Sequence, residues 1–163
     1  MKQKKRIIIL GIGNPILGDD GIGIHIVRKL KEQLDKQSDI VIDEAMTGGM
    51  NLLDAIIGFE KAILIDAVHL TDEKIGDVKR FQLQELGTVH SCNPHDVSLF
   101  ESIQLAETLG EEQVPKKIII IGIVLHELPI EFSEEISPQV ASAIPKAIQM
   151  ISVSYTHLTL PTN

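Results

Sequence analysis

The chain has one cysteine, Cys92, in 163 residues. A lone thiol excludes an internal disulfide and any metal cluster built from several thiolates of one chain, and it fits a reducing compartment such as the cytoplasm. Basic residues are scarce too: 15 Lys and Arg face 23 Asp and Glu, for a formal charge of -8. That sign is wrong for gripping a phosphate backbone, so nucleic acid is not an expected partner. Long apolar runs are also missing. Met1 to Arg6 followed by Ile7 to Leu10 imitates the start of a signal peptide, but Gly11, Gly13, Asn14 and Asp19-Asp20 interrupt it early. No run approaches the roughly 18 apolar residues of a membrane span, so no membrane partner is expected.

What remains is material for a core. A hydrophobic fraction of 44% in a chain of this length predicts one compact domain, here residues 1–151. Ile7 to Leu10, Ile40 to Ile42, Ala62 to Ile65 and Lys117 to Val124 are short β-branched runs of the kind buried in parallel sheets. Gly21 to Leu34, Met50 to Ile57 and Val97 to Leu109 carry apolar residues at helical spacing between them. Val78 to Leu83 alternates apolar and polar residues, which predicts an edge strand, antiparallel to its neighbour. Ser137-Pro138 is an N-cap and first-turn pair for a last helix reaching Ile151, with Pro145 as a kink or late start. The expected fold is α/β: a three-layer αβα sandwich on a mostly parallel, twisted sheet of about five strands, resembling phosphorylase/hydrolase-like folds. Residues 152–163 carry no charge and no helical period, and they resemble translated sequencing-adapter read-through, so they are expected to lie outside the fold.

In an open α/β sheet, ligands gather beyond the carboxyl ends of the parallel strands. The residues expected there are polar: Gly11 to Asp20 after the first strand, Asp43-Glu44 after the second, Asp66 after the third, Gly122 and His126 after the last parallel one. His95 joins them if the loop before its helix returns to that rim. Gly11-x-Gly13 begins like a dinucleotide fingerprint, but Ile16 stands at the third glycine and Asp19-Asp20 place negative charge where a pyrophosphate would sit. Singly, Asp19 and Asp20 can cap a helix, Asp66 can hold a loop through backbone hydrogen bonds, and His95 can pack beside Pro94. Together, two carboxylates and an imidazole make a three-ligand metal site with positions left open, suited to nickel, zinc or cadmium.

Gly11-Ile-Gly-Asn-Pro-Ile-Leu-Gly-Asp-Asp-Gly-Ile-Gly, Thr47-Gly-Gly-Met-Asn-Leu-Leu-Asp, Ile65-Asp-Ala-Val and Asn93-Pro-His-Asp, in that order and spacing, resemble the hydrogenase maturation proteases from Arg6 to Ile151. The resemblance implies an endopeptidase whose metal triad maps onto Asp20, Asp66 and His95. Many members carry glutamate at the first position, so Asp20 shortens the reach by one methylene. It implies removal of a C-terminal peptide from the nickel-loaded large-subunit precursor of a [NiFe] hydrogenase, the nickel being carried by the substrate. Thr47, Gly48 and Gly49 are the expected substrate-lining residues, and a cytoplasmic monomer meeting its partner transiently is the expected form. Three other readings stand beside it. Peptidyl-tRNA hydrolases also carry Gly-x-Gly-Asn-Pro after a first strand, though the charge and the residues that follow differ. Cys92 with His95 would suit a cysteine peptidase. A nickel-binding adaptor would use the same triad without cutting.

Overall fold

The structure, a computed structural model, describes residues 6–34, 39–46, 50–83 and 95–159; the side chains of residues 50, 95–98, 100 and 157–159 lie outside the description. The parallel strands β1 (Ile7–Ile12), β2 (Ile40–Ala45), β3 (Lys61–His69) and β5 (Lys117–Leu125) and the antiparallel β4 (Val78–Gln82) form one sheet in the order β2-β1-β3-β5-β4. Helices α1 (Ile22–Gln33), α2 (Met50–Ile56), α3 (His95–Thr108), α4 (Pro138–Ala141) and α5 (Ala143–Thr159) complete it. The expected α/β fold is the observed one.

The period of two along each strand divides the core into two layers. Ile7, Ile9, Ile63, Ile65, Ile119 and Ile121 meet α1, α4 and α5 through Ile26, Leu30, Val140 and Ala147. Ile8, Leu10, Leu64 and Ile120 meet α2 and α3 through Leu52, Ile56, Leu99 and Ile103. Each such side chain, fully removed from water, contributes about 1.5–3 kcal/mol before the entropy of ordering is set against it. β1 runs first to β2 on one side and the chain then crosses to β3 on the other, with α1 and α2 on opposite faces. The crevice at the carboxyl ends of β1 and β3 is therefore the topological switch point, the place where this architecture accepts ligands.

Three boundaries differ from expectation. Asp66 does not follow β3; it lies within it, because Ala67 and Val68 continue the buried run to His69. Asp43 and Glu44 likewise belong to β2. The expected end of the fold at Ile151 is not observed: α5 continues to Thr159, with Ser154 buried and Tyr155 packed against the core. The polar residues are tolerated because hydroxyls turn back onto the helix, Ser152 donating to the Ile148 carbonyl at 2.9 Å and Thr156 to that of Ser152 at 2.8 Å. Pro145 falls in the first turn of α5, where its missing N–H costs nothing, and Ser142 separates α5 from α4. Among the described residues no helix is long and apolar enough to cross a membrane.

Candidate active site at the switch point

The site begins with backbone packing. A Cβ on Gly23 would meet the carbonyl oxygens of Ile65 at 2.3 Å and Ile12 at 2.4 Å, and one on Gly11 would meet the Gly23 carbonyl oxygen at 2.4 Å. The first turn of α1 thus rests directly on the ends of β1 and β3, with no side chain between. Gly13, at φ 149, makes the tight exit from β1, and its own missing Cβ leaves room for the Asp20 carbonyl.

The 3₁₀ turn Gly18–Gly21 leads into α1 and packs against β3. Asn14 organises it. Its side-chain oxygen accepts the Ile16 N–H at 3.2 Å, its carbonyl accepts the Leu17 N–H at 3.0 Å, and its own N–H donates to Asp20 Oδ2 at 3.0 Å. That last bond aims the Asp20 carboxylate, which is only 4% exposed. The Asn-Pro of the motif is therefore a positioning device, which the sequence displayed without revealing its use.

Asp66 is 1% exposed, and its Oδ1 accepts the N–H of Ala67 at 2.8 Å. The last β1–β3 pair is Gly11 with Ile65, so Asp66 stands one residue above it, beside the end of β1 and level with Gly122 of β5. By the strand period it projects on the side of Ala62 and Leu64, the face covered by α2 and α3. His95 is the first residue of α3. The structure thus brings Asp20 and Asp66 to one sheet edge and starts the helix of His95 on the Asp66 face. The His95 side chain lies outside the described residues, as do Thr47, Gly48, Gly49 and Cys92. Among the described residues no three His, Cys, Asp or Glu side chains are gathered for one ion.

Other rim residues are used differently. Asp19 does not cap its own helix: its two oxygens accept the Ser137 N–H at 2.7 Å and hydroxyl at 2.9 Å, tying the turn to the start of α4. Glu44 receives two guanidinium bonds from Arg28, both 3.0 Å, which hold its carboxyl below the ordinary range. His126 Nε2 lies 2.6 Å from the Glu73 carbonyl. These partners are up to 118 residues apart, so spacing in the chain gave no sign of them.

His25, on α1 near the Arg28–Glu44 pair, has a buried Nε2 with no hydrogen-bond partner among the described residues. Burial lowers its pKa from 6.5, Arg28 lowers it further, and Glu44 opposes both. The unfolded chain therefore takes up the proton first as the pH falls. This contribution to stability is complete above about pH 6.5 and declines below it. Glu44, lowered from 4.5, adds its own loss only at more acid pH. Urea unfolding between pH 7.5 and 5.5 should show a falling midpoint, with a shallower fall for His25→Asn. Equal slopes would mean that His25 titrates alike in both states.

Comparison with known proteins agrees with the fold. The family profile described as hydrogenase maturation protease matches residues 24–154. A Methanocaldococcus jannaschii chain that bears a hydrogenase maturation protease name is 32% identical over 155 residues, covering 91% of this chain and 96% of its own. The Escherichia coli hydrogenase 2 maturation protease is 26% identical, covering 90% and 88%. Among solved structures, the E. coli hydrogenase maturating endopeptidase HybD superposes with a TM-score of 0.81 over 94% of both chains; at 24% identity it speaks for the fold. The [NiFe] hydrogenase maturation protease HybD of Thermococcus kodakarensis is 25% identical, with a TM-score of 0.69 over 91% of this chain and 98% of its own. The chain belongs to the hydrogenase maturation protease family, and its activity is that of a hydrogenase maturation endopeptidase.

Proposed function

We propose that the enzyme removes a C-terminal peptide from the nickel-loaded precursor of a [NiFe] hydrogenase large subunit, and that it reads the nickel through Asp20, Asp66 and His95. The observation behind this reading is the pair of nearly inaccessible carboxylates at the switch point, each with one oxygen aimed by a backbone N–H. Two carboxylates fixed at one end of the sheet offer oxygen donors to a divalent cation arriving with the substrate. Hard oxygen donors plus one imidazole suit nickel or zinc, and cadmium can substitute in the isolated protein.

On this reading nickel already held by the precursor completes its coordination with residues of the enzyme. Loaded precursor then binds better than empty precursor by the strength of those bonds, and recognition and licensing coincide. The ion brings Lewis acidity to the scissile carbonyl. The chain's own part is to fix the carboxylates, exclude bulk water and accept a proton from the attacking water at a carboxylate oxygen. Thr47, Gly48 and Gly49, whose glycines permit close backbone approach, line the cleft for the substrate chain. The lone cysteine agrees with work in the cytoplasm, as a monomer that meets its partner briefly.

The test is mass spectrometry of the large-subunit precursor incubated with the protein, with and without nickel. Loss of a C-terminal peptide from the loaded form alone is the expected result. Equal cutting of both forms would remove nickel reading from the proposal. Binding of loaded precursor without cutting would make the protein an adaptor.

A further inference from the structure

The segment after β5 differs in character from its surroundings. From Glu127 to Glu135 it reads Glu-Leu-Pro-Ile-Glu-Phe-Ser-Glu-Glu, without a lysine or arginine. Ile130 is 93% exposed, Phe132 82% and Leu128 45%. Single apolar side chains in water need no explanation, but three within five residues form a patch of the kind that marks an interaction surface.

This segment is fastened to the turn that carries Asp20. Ser133 donates its N–H to the Ile16 carbonyl at 2.8 Å and accepts the Gly18 N–H at 2.7 Å. Ser137 then donates twice to Asp19. Ile16, itself 46% exposed, extends the apolar surface onto the turn. A shallow cavity of about 350 Å³ opens between the two segments, lined by Gly18, Asp19, Pro129, Ile130, Ser133 and Ser137 among others.

We infer that this strip, Glu127 to Glu135 with Ile16, docks a basic, apolar segment of the hydrogenase precursor. The inference rests on the proposed reading of the switch point and adds recognition away from the metal. Charge selects the occupant. Glu127, Glu131, Glu134 and Glu135 are all exposed, and none forms an ion pair among the described residues. A partner segment bearing lysine or arginine gains from all four, whereas an acidic one is repelled. Its apolar side chains cover Ile130 and Phe132. Continuity of the strip with the turn leads the docked chain toward Asp20.

The experiment measures steady-state cleavage of nickel-loaded precursor by the wild type, by Ile130→Ser/Phe132→Ser and by Glu131→Lys/Glu134→Lys. The serine pair should raise KM by about tenfold or more with kcat within about twofold, the signature of lost uniform binding. The lysine pair should raise KM as well and flatten its increase with salt. Thermal unfolding of both variants should match the wild type, because the altered side chains are exposed. A wild-type KM in the serine pair overturns the strip and leaves the protease reading standing. A lowered KM in the lysine pair overturns the basic occupant. Failure of the wild type to cut any nickel-loaded precursor overturns the proposed function and the strip with it.

Discussion

Asp66→Asn protein is expected to fold and to leave nickel-loaded precursor uncut. Asparagine has the shape of aspartate, and its side-chain oxygen can still accept the Ala67 N–H now held at 2.8 Å, so β3 keeps its course. Only the charge is lost. On the proposed reading this carboxylate, 1% exposed, faces the ion and the attacking water with little solvent screening. Its removal should lower kcat/KM by at least about a hundredfold, the lower range for a side chain that handles protons, or about 2.7 kcal/mol of transition-state stabilisation. Unfolding should remain a single transition, since a neutral isostere avoids the desolvation of the carboxylate. Asp20→Asn should behave alike, because Asn14 can still donate to its oxygen. The readout is the count of shortened precursor by mass spectrometry beside a thermal melt. Folded Asp66→Asn that cuts within about threefold of wild type would remove Asp66 from the chemistry.

Gly23→Ala should do the opposite, damaging the fold rather than the chemistry. On helix propensity alone alanine would stabilise α1 by about 1 kcal/mol. The added methyl would lie 2.3 and 2.4 Å from two backbone carbonyl oxygens, and neither belongs to a side chain that can turn aside. Forced packing of this kind costs about 3 kcal/mol, or more where backbone must move. The steric effect therefore wins, for a net loss of at least about 2 kcal/mol, or a melting temperature lower by roughly 4–8 °C in a domain of this size. A thermal melt decides it. An unchanged or higher melting temperature would mean that α1 does not rest on β1 and β3 as described.

Much of this architecture was legible because it follows from local periodicity. The β-branched runs became β1, β3 and β5, and alternation in Val78 to Leu83 announced the antiparallel edge strand β4. Asp20 was singled out by a motif in which five glycines and Asn-Pro surround two acids, and those glycines and that asparagine are what build its turn. Asp66 was read as following a strand because a charge interrupts an apolar run. Its neighbours Ala67 and Val68 are buried, so the strand passes through the charge instead. Ser152 to Thr159 carried no charge pattern to show a helix, yet Ser154 and Tyr155 fall three and four residues beyond the core residue Ile151, on the same helical face. The Asp19–Ser137 contact joins positions far apart in the chain, and only the folded molecule reveals it.

The glycine contact between α1 and the strands also bears on how an unfinished substrate is told from a finished one. Where backbone lies on backbone there is no rotamer to change and no gap to close, so the acidic turn has nothing with which to mould itself to a visitor. Adjustment then falls to the visitor. On the proposed reading the enzyme works like a gauge block: its aperture is set when it folds, and each precursor is measured by how far its own tail and metal have come to fit.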